Sequence, residues 1–225
     1  MTRTGRLLLF VFVLVFVLAL TGCPVSTPPG AGLETGGAAG DLHKVDELFV
    51  QDAQCPTRWV FRTNDPAYQG PYGSTLWTLA GGAQEPFQQL EVKLIKVEGD
   101  ETAGYGAVFC SYDTGDPASG ETMLVAMINT RKEFIVGEVA GAAFTEIIPW
   151  TGCESLRSGY SQSNVLRVTY AAGEYCLSLN GTEAARFRDD EEPRHDKGGR
   201  SGYIVVISPL DGFPSAHVHV IFEEQ

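Results

Sequence analysis

Glu174-Tyr-Cys-Leu-Ser-Leu-Asn180-Gly181-Thr-Glu-Ala-Ala-Arg-Phe-Arg188 is the stretch that decides the fold class. Asn-Gly supplies the two positive φ angles of a type I′ turn, and it sits here between two β-rich runs, so residues 174–188 read as a hairpin. The same texture extends in both directions. No segment after residue 40 keeps a 3.6-residue apolar period; short runs recur instead, broken by Gly, Pro, Asp and Asn. Strands are expected near Gly73–Leu79, Phe87–Val97, Gly106–Tyr112, Thr122–Asn129, Glu133–Val139, Ala142–Ile148, Val165–Tyr170, Glu174–Leu179, Thr182–Arg188, Gly202–Ser208 and Ala216–Phe222. Leu90, Val92 and Leu94 alternate with Glu91 and Lys93, and Leu166, Val168 and Tyr170 with Arg167 and Thr169. Met123–Ile128 and Tyr203–Ile207 are apolar throughout, as central strands covered on both faces would be. So many short strands in one domain imply a β-sandwich or barrel.

The first forty residues have a different character. Arg3 and Arg6 precede Leu7–Leu20, fourteen consecutive apolar residues. That length suits the hydrophobic region of a signal peptide and falls short of the roughly 20 residues that span a bilayer. Leu20-Thr21-Gly22-Cys23 resembles the lipobox of bacterial lipoproteins. The resemblance implies cleavage after Gly22 and lipid attachment at Cys23, hence an extracytoplasmic protein of the cell envelope, tethered to a membrane. Pro24 follows the cysteine, which is compatible with the outer membrane if the source is Gram-negative. Multiple acyl chains anchor stably where one alone binds marginally. Residues 24–40 hold three prolines and five glycines, too little apolar surface to order themselves. The expected organisation is a signal peptide at 1–22, a lipidated cysteine and tether at 23–40, and one β-domain at 41–225.

Of 16 basic and 28 acidic residues only Arg3 and Arg6 precede Cys23, so the processed chain carries 14 basic residues, 28 acidic residues and a net charge of −14. Such a chain is a poor partner for nucleic acid or anionic head groups. Four cysteines remain, Cys55, Cys110, Cys153 and Cys176. In an oxidising compartment this even number suggests two disulfides, in any of three connectivities. None lies in a Cys-x-x-Cys pair, so neither a zinc knuckle nor a thioredoxin-like centre is indicated.

Tyr105-Gly106-Ala107-Val108-Phe109, then Met123–Ile128, then Phe134–Val139 and Trp150, resembles the middle of laminin-G-like and 3-keto-disaccharide-hydrolase-like jelly rolls. The second half is closer still: Asn164-Val165-Leu166-Arg167-Val168, then Tyr175-Cys176-Leu177-Ser178-Leu179-Asn180-Gly181, then Gly199-Arg200-Ser201-Gly202-Tyr203. The resemblance covers about residues 73–222 and implies an all-β jelly-roll β-sandwich of the concanavalin A-like lectin/glucanase type. Its motifs are strand and turn residues, which specify fold and not activity.

Where relatives have a shorter turn, this chain inserts an acidic loop. Asp189, Asp190, Glu191, Glu192 and Asp196 could hold calcium through hard oxygen ligands. There is no Asp-x-Asp-x-Asp-Gly spacing, and a solvated loop offset by Arg188, Arg194 and Lys197 is favoured, as it is for Asp113, Asp116 and Glu121. No cofactor is therefore expected. Glycosidases on this fold place carboxylates on alternate positions of one strand, and no Glu-x-Asp-x-x-Glu pattern occurs. A Gly-x-Ser-x-Gly elbow is also missing. His217 and His219 share a strand face, a spacing that suits zinc or copper only with further ligands. Trp59, Trp77 and Trp150 could stack on sugars but read as core. If Phe109, Leu177 and Leu179 point inward, Cys110 and Cys176 point out; this parity pairs Cys110 with Cys176 and Cys55 with Cys153, on condition that the first two strands are neighbours.

The leading expectation is a non-catalytic binding module on a lipid anchor, with a glycan or envelope component as ligand. The alternatives are a glycan-processing hydrolase of the 3-keto-disaccharide-hydrolase-like type and an envelope lipoprotein that binds another protein.

Overall fold

The computed structural model describes residues 41–84, 86–115, 120–189, 194–209 and 217–225. Its strands, in chain order, begin with β1 (Asp41–Lys44), β2 (Phe49–Asp52), β3 (Cys55–Thr63), β4 (Ser74–Leu79), β5 (Gln89–Glu98), β6 (Tyr105–Asp113) and β7 (Glu121–Ile128). They continue with β8 (Glu133–Ala140), β9 (Ala143–Gly152), β10 (Ser163–Ala171), β11 (Glu174–Leu179), β12 (Thr182–Phe187), β13 (Arg200–Ile207) and β14 (Val218–Glu224). Two seven-stranded sheets result, ordered β1-β4-β13-β6-β7-β8-β9 and β12-β11-β10-β5-β14-β3-β2. We call them the first and second sheet.

Alternation along each strand builds the layer between them. Leu76, Phe109, Leu124 and Tyr203 from the first sheet meet Phe61, Leu94, Leu166, Leu177 and Phe222 from the second, all buried in one apolar cluster. Side chains of period two from facing sheets make the core of an aligned sandwich in this way. β7 and β13 are buried on both faces, as their unbroken apolar runs require: Leu124, Ala126 and Ile128 face the core, and Met123, Val125 and Met127 face away from it.

The Asn-Gly hairpin is formed. β11 pairs antiparallel with β12 up to Leu179 opposite Thr182, and Asn180 and Gly181 have φ of 52° and 81°. The Asn180 side chain does more than permit the turn. Its Oδ1 accepts from the Val165 N–H at 2.8 Å, while Nδ2 donates to Ser155 O at 2.7 Å and to Asn164 Oδ1 at 2.8 Å. Asn180→Ala adds strain at positive φ to the loss of these bonds, and is expected to cost about 2–3 kcal/mol. Asn180→Gly keeps the turn and should cost about 1 kcal/mol less. Paired urea titrations read both; equal losses would show that the backbone angle contributes nothing.

β1, β2 and β3 lie ahead of the first expected strand. β3 is interior to the second sheet, between β14 and β2, despite Pro56, Arg58 and Arg62. Phe61 faces the core with no exposed surface, and Arg58 is held by Glu223 of the neighbouring strand at 2.6 Å. No helix among the described residues is long and apolar enough to cross a membrane.

Candidate functional site

The link from β4 to β5 folds against the start of β13. Ser201 O accepts from the N–H groups of Ala80 and Gly81 at 3.0 and 2.9 Å, and Gln84 exchanges two backbone bonds with Gly199. A Cβ on Gly81 would stand 2.2 Å from Ser201 Oγ, so a larger residue there requires the Ser201 hydroxyl to turn aside. Between this link and the end of β14 lies a cavity of about 580 Å³ at the rim of the sandwich. Its polar residues include Gln84, Gln88, Gln89 and Gln225, the acids Glu91 and Glu224, and Ser201.

Tyr203 lines the cavity while its ring lies in the inter-sheet core. It is stacked on Phe222 at 4.5 Å between ring centroids, and its hydroxyl donates to Glu224 Oε1 at 2.8 Å. Burial, reinforced by that carboxylate, holds the phenol protonated far above its ordinary range. Gln89 Oε1 accepts from Arg167 at 3.0 Å, and Arg167 also pairs with Glu91 at 3.5 Å. The two acids leave the second sheet on opposite faces. Glu224 stands opposite the core-facing Val92, whereas Glu91 is the next residue along β5 and points the other way. The site therefore has many hydrogen-bonding groups and no acid pair sharing one face.

Sequence reasoning named none of these residues as a site; Glu91 entered it only as a polar position alternating with Leu90, Val92 and Leu94. The cavity joins residues from 81 to 91 with 201–203 and the chain's last two residues. A run of glutamines at Gln84, Gln88 and Gln89 was the one local signal.

Other expectations resolve differently. Cys55, Cys110, Cys153 and Cys176 form no disulfide in the structure. The condition on which Cys110 was paired with Cys176 fails, because β6 belongs to the first sheet and β11 to the second. The parity argument fails as well. Ladder register shifts after Phe109, Cys110 takes a φ of 53°, and its side chain joins Phe109 in the core. A bulge breaks the alternation on which such counting rests. Cys110 Sγ lies 3.6 Å from Tyr175 Oη, while Cys176 faces Glu183 on the outside of its sheet. Cys55 begins β3, beside the edge strand β2, and Cys153 follows β9, the edge of the other sheet. Burial pushes the Cys110 thiol up to about 12, which leaves it unreactive.

His217 Nδ1 lies 3.7 Å from Glu98, and His219 is held below its usual range by burial and then by Arg62. Among the described residues no three His, Cys, Asp or Glu side chains converge as a metal would require. In the acidic insertion, Asp189 is already engaged: its Oδ1 accepts from Arg194 Nη1 at 2.6 Å. Asp190, Glu191 and Glu192 lie outside the described residues, as do the Asp196 side chain and Asp116 in the other acidic turn. Of the other acids in that turn, Asp113 accepts from the Gly115 N–H at 2.8 Å, and Glu121 from Ser111 Oγ at 2.6 Å.

Of the tryptophans, Trp59 packs against the core. Trp77 and Trp150 do not: they belong to a second apolar cluster on the outer face of the first sheet, with Val108, Met123, Val125, Met127, Ile135, Val139 and Ile204. Val108, Val125, Ile135 and Ile204 have no exposed surface. Yet all described strands belong to the two sheets. The three-residue helices at 46–48 and 66–68 bring Leu48 and Tyr68 against the inter-sheet core instead.

No family model matches the chain and no curated protein matches it. Solved structures do. A carbohydrate-binding module, CBM66, from Bacillus subtilis superposes with a TM-score of 0.53 at 10% identity, covering 78% of this chain and 87% of that one. The laminarinase catalytic domain of Thermotoga maritima superposes with a TM-score of 0.50 at 12% identity, covering 81% and 82%. At such identities the likeness is one of fold: the chain is a jelly-roll β-sandwich of the concanavalin A-like lectin/glucanase type.

Proposed function

We propose that the chain is a lipid-anchored, extracytoplasmic binding module that takes a glycan in the rim pocket without cleaving it. The observation that carries this reading is the convergence of four glutamines and two acids on one open cavity beside Tyr203. Amides and carboxylates offer the donors and acceptors that sugar hydroxyls need when they leave water. The named carbohydrate-binding module with this fold supports the substrate class. The anchor rests on Leu20-Thr21-Gly22-Cys23 and places the module in the cell envelope.

Two features support binding over hydrolysis. Retaining and inverting glycosidases need two carboxyl groups flanking one bond, and Glu91 and Glu224 lie on opposite faces of their sheet. On β7 the outward positions after Glu121 are Met123, Val125 and Met127, so acids do not alternate there.

Titration of residues 24–225 with a panel of neutral and acidic oligosaccharides tests the proposal. Saturable binding is expected, weakened about tenfold by Gln88→Ala, the equivalent of one good hydrogen bond. A panel without saturable binding, or affinity indifferent to Gln84→Ala and Gln88→Ala together, would reject the pocket. Release of shorter saccharides would replace binding by hydrolysis.

A further inference from the structure

The rim pocket lies at the end of β14, and a second cavity, of about 430 Å³, lies at the start of the same strand. About 17 Å of strand separates His219 from Glu224, so the two are different sites. Arg62, Thr63 and Asn64 from the end of β3 line the second cavity with Glu98 from the end of β5, and with His217 and His219. We propose that it binds a sugar that carries a carboxylate, a hexuronate, with Arg62 as the group that pairs with the charge. The sugar rests on the glycan-binding reading; the charge rests on Arg62.

Every other arginine of the described residues is held by an acid or a backbone carbonyl. The Arg62 guanidinium alone has neither an ion pair nor a hydrogen bond among those residues. In so acidic a chain that is not for want of acids, and the carboxylate in the cavity, Glu98, lies 3.7 Å from His217 Nδ1 instead. The ladder sets Arg62, His219 and Glu98 opposite one another across β3, β14 and β5. Phe61, Val218 and Val220 take the core side, which turns Arg62 and His219 outward together. His219 Nε2 is buried with no hydrogen-bond partner among the described residues. A ligand oxygen would remove that cost once the exposed Arg62 and His217 side chains make room for it.

The charge count favours a carboxylate over a phosphate. Burial and then Arg62 hold His219 below its usual range, opposed by Glu98. At neutral pH the cavity therefore offers one permanent cation. A carboxylate satisfies a guanidinium through two parallel hydrogen bonds, whereas a phosphate dianion would set a second charge against Glu98. A bare carboxylate would leave most of the cavity empty. Thr63, Asn64 and Glu98 offer hydroxyl, amide and carboxylate groups to the hydroxyls of a ring.

Glucuronate, glucose and acetate would be titrated into protein produced from the full chain, followed by calorimetry and by the imidazole NMR signals of His217 and His219. Glucuronate is expected to bind about tenfold or more tightly than glucose or acetate, to lose about tenfold in Arg62→Ala, and to be unaffected by Gln88→Ala. Arg62→Lys keeps the charge without the fork and should fall between. The groups facing His219 are Arg62 on β3, Glu98 on β5 and His217 on its own strand. A bound carboxylate adds a negative charge to them, so saturating glucuronate should raise the His219 pKa, and affinity should increase as pH falls from about 7.5 to about 5.5. Glucuronate bound no better than glucose, or equally well by Arg62→Ala, would overturn the proposal and leave the rim pocket to its own test. Binding lost in Gln88→Ala instead would move the acidic sugar to the rim pocket and reject this site. Acetate as tight as glucuronate would reject the sugar, and the proposal with it.

Discussion

Replacing Arg194 with methionine is expected to cost the fold about 3–5 kcal/mol, the range seen when one partner of a buried ion pair is removed. The Arg194 side chain is 3% exposed and that of Asp189 4%. Nη1 donates to Asp189 Oδ1 at 2.6 Å, and the Arg194 N–H donates to Asp189 Oδ2 at 3.0 Å. Nε and Nη2 donate to Thr122 Oγ1 at 3.2 and 2.9 Å, and Nη2 also reaches Glu138. Burial opposes the charge on this guanidinium most strongly, but Asp189 and then Glu138 outweigh it, so its pKa lies above the ordinary value. Without Arg194, Asp189 keeps one backbone donor and loses its counter-charge where water does not replace it. The cost comes from that stranded carboxylate more than from the lost attraction.

Two further variants separate these contributions. Arg194→Lys retains charge but cannot fork between Asp189, Glu138 and Thr122, and should recover less than half of the loss. Arg194→Met combined with Asp189→Leu removes the stranded charge and should be more stable than Arg194→Met alone. In urea the midpoint for Arg194→Met should fall by about 1–2 M, given an m-value of about 2–3 kcal/mol/M for a domain of this size. A shift too small to measure would mean that the cluster is hydrated in solution.

Arg194 was grouped with Arg188 and Lys197 as charges offsetting a solvated acidic run. Arg188 fits, since it pairs on the surface with Glu174 at 2.8 Å. Arg194 is instead drawn into the rim, because Thr122 and Glu138 on β7 and β8 offer it partners more than fifty residues away in sequence. Local composition holds no trace of such partners. Lys96 is buried with partners from its own stretch of chain. It continues the inward series Val92 and Leu94, yet its Nζ is satisfied by the carbonyls of Asp100 and Ala103, the latter at 2.8 Å.

What was legible was periodic or local: the Asn180-Gly181 turn, the alternation on β5 and β10, and the apolar runs of β7 and β13. These properties need only the chain's neighbours two to five residues away. β3 was missed because Arg58 and Arg62 interrupt its apolar pattern, and the carboxylates that pair with Arg58 come from the flanking strands, Glu223 on β14 and Asp52 on β2. Cys110 was placed on the wrong face because a bulge is invisible to counting by two. The rim pocket escaped because its glutamines gain meaning only when the β4–β5 link meets the end of β14. On the outer face of the first sheet, the apolar run of β7 implies cover on both sides, while the side chains packed against its cluster, Phe144 and Trp150 of β9 among them, lie beyond the reach of any periodicity.

Tyr175→Ala is the second large effect, expected to cost about 3–5 kcal/mol. The Tyr175 ring has no exposed surface. It stacks on Phe187 at 5.1 Å and meets Tyr170 edge-on at 4.9 Å. Phe109 of the facing sheet lies at 5.9 Å and Phe87 at 6.1 Å. Alanine would leave a void bounded by four aromatic rings, which cannot collapse without moving β6 toward β11. The hydroxyl is a separate matter. Its partner is the Cys110 sulfur at 3.6 Å, a weak acceptor and a weak donor, so Tyr175→Phe should cost less than about 1.5 kcal/mol. Thermal and urea unfolding of both variants would read the two contributions apart. A Phe variant nearly as damaged as the Ala variant would assign the stability to the Tyr175–Cys110 contact. The expected wide gap assigns it to the ring, which joins the two sheets at the hairpin from which the fold was first read.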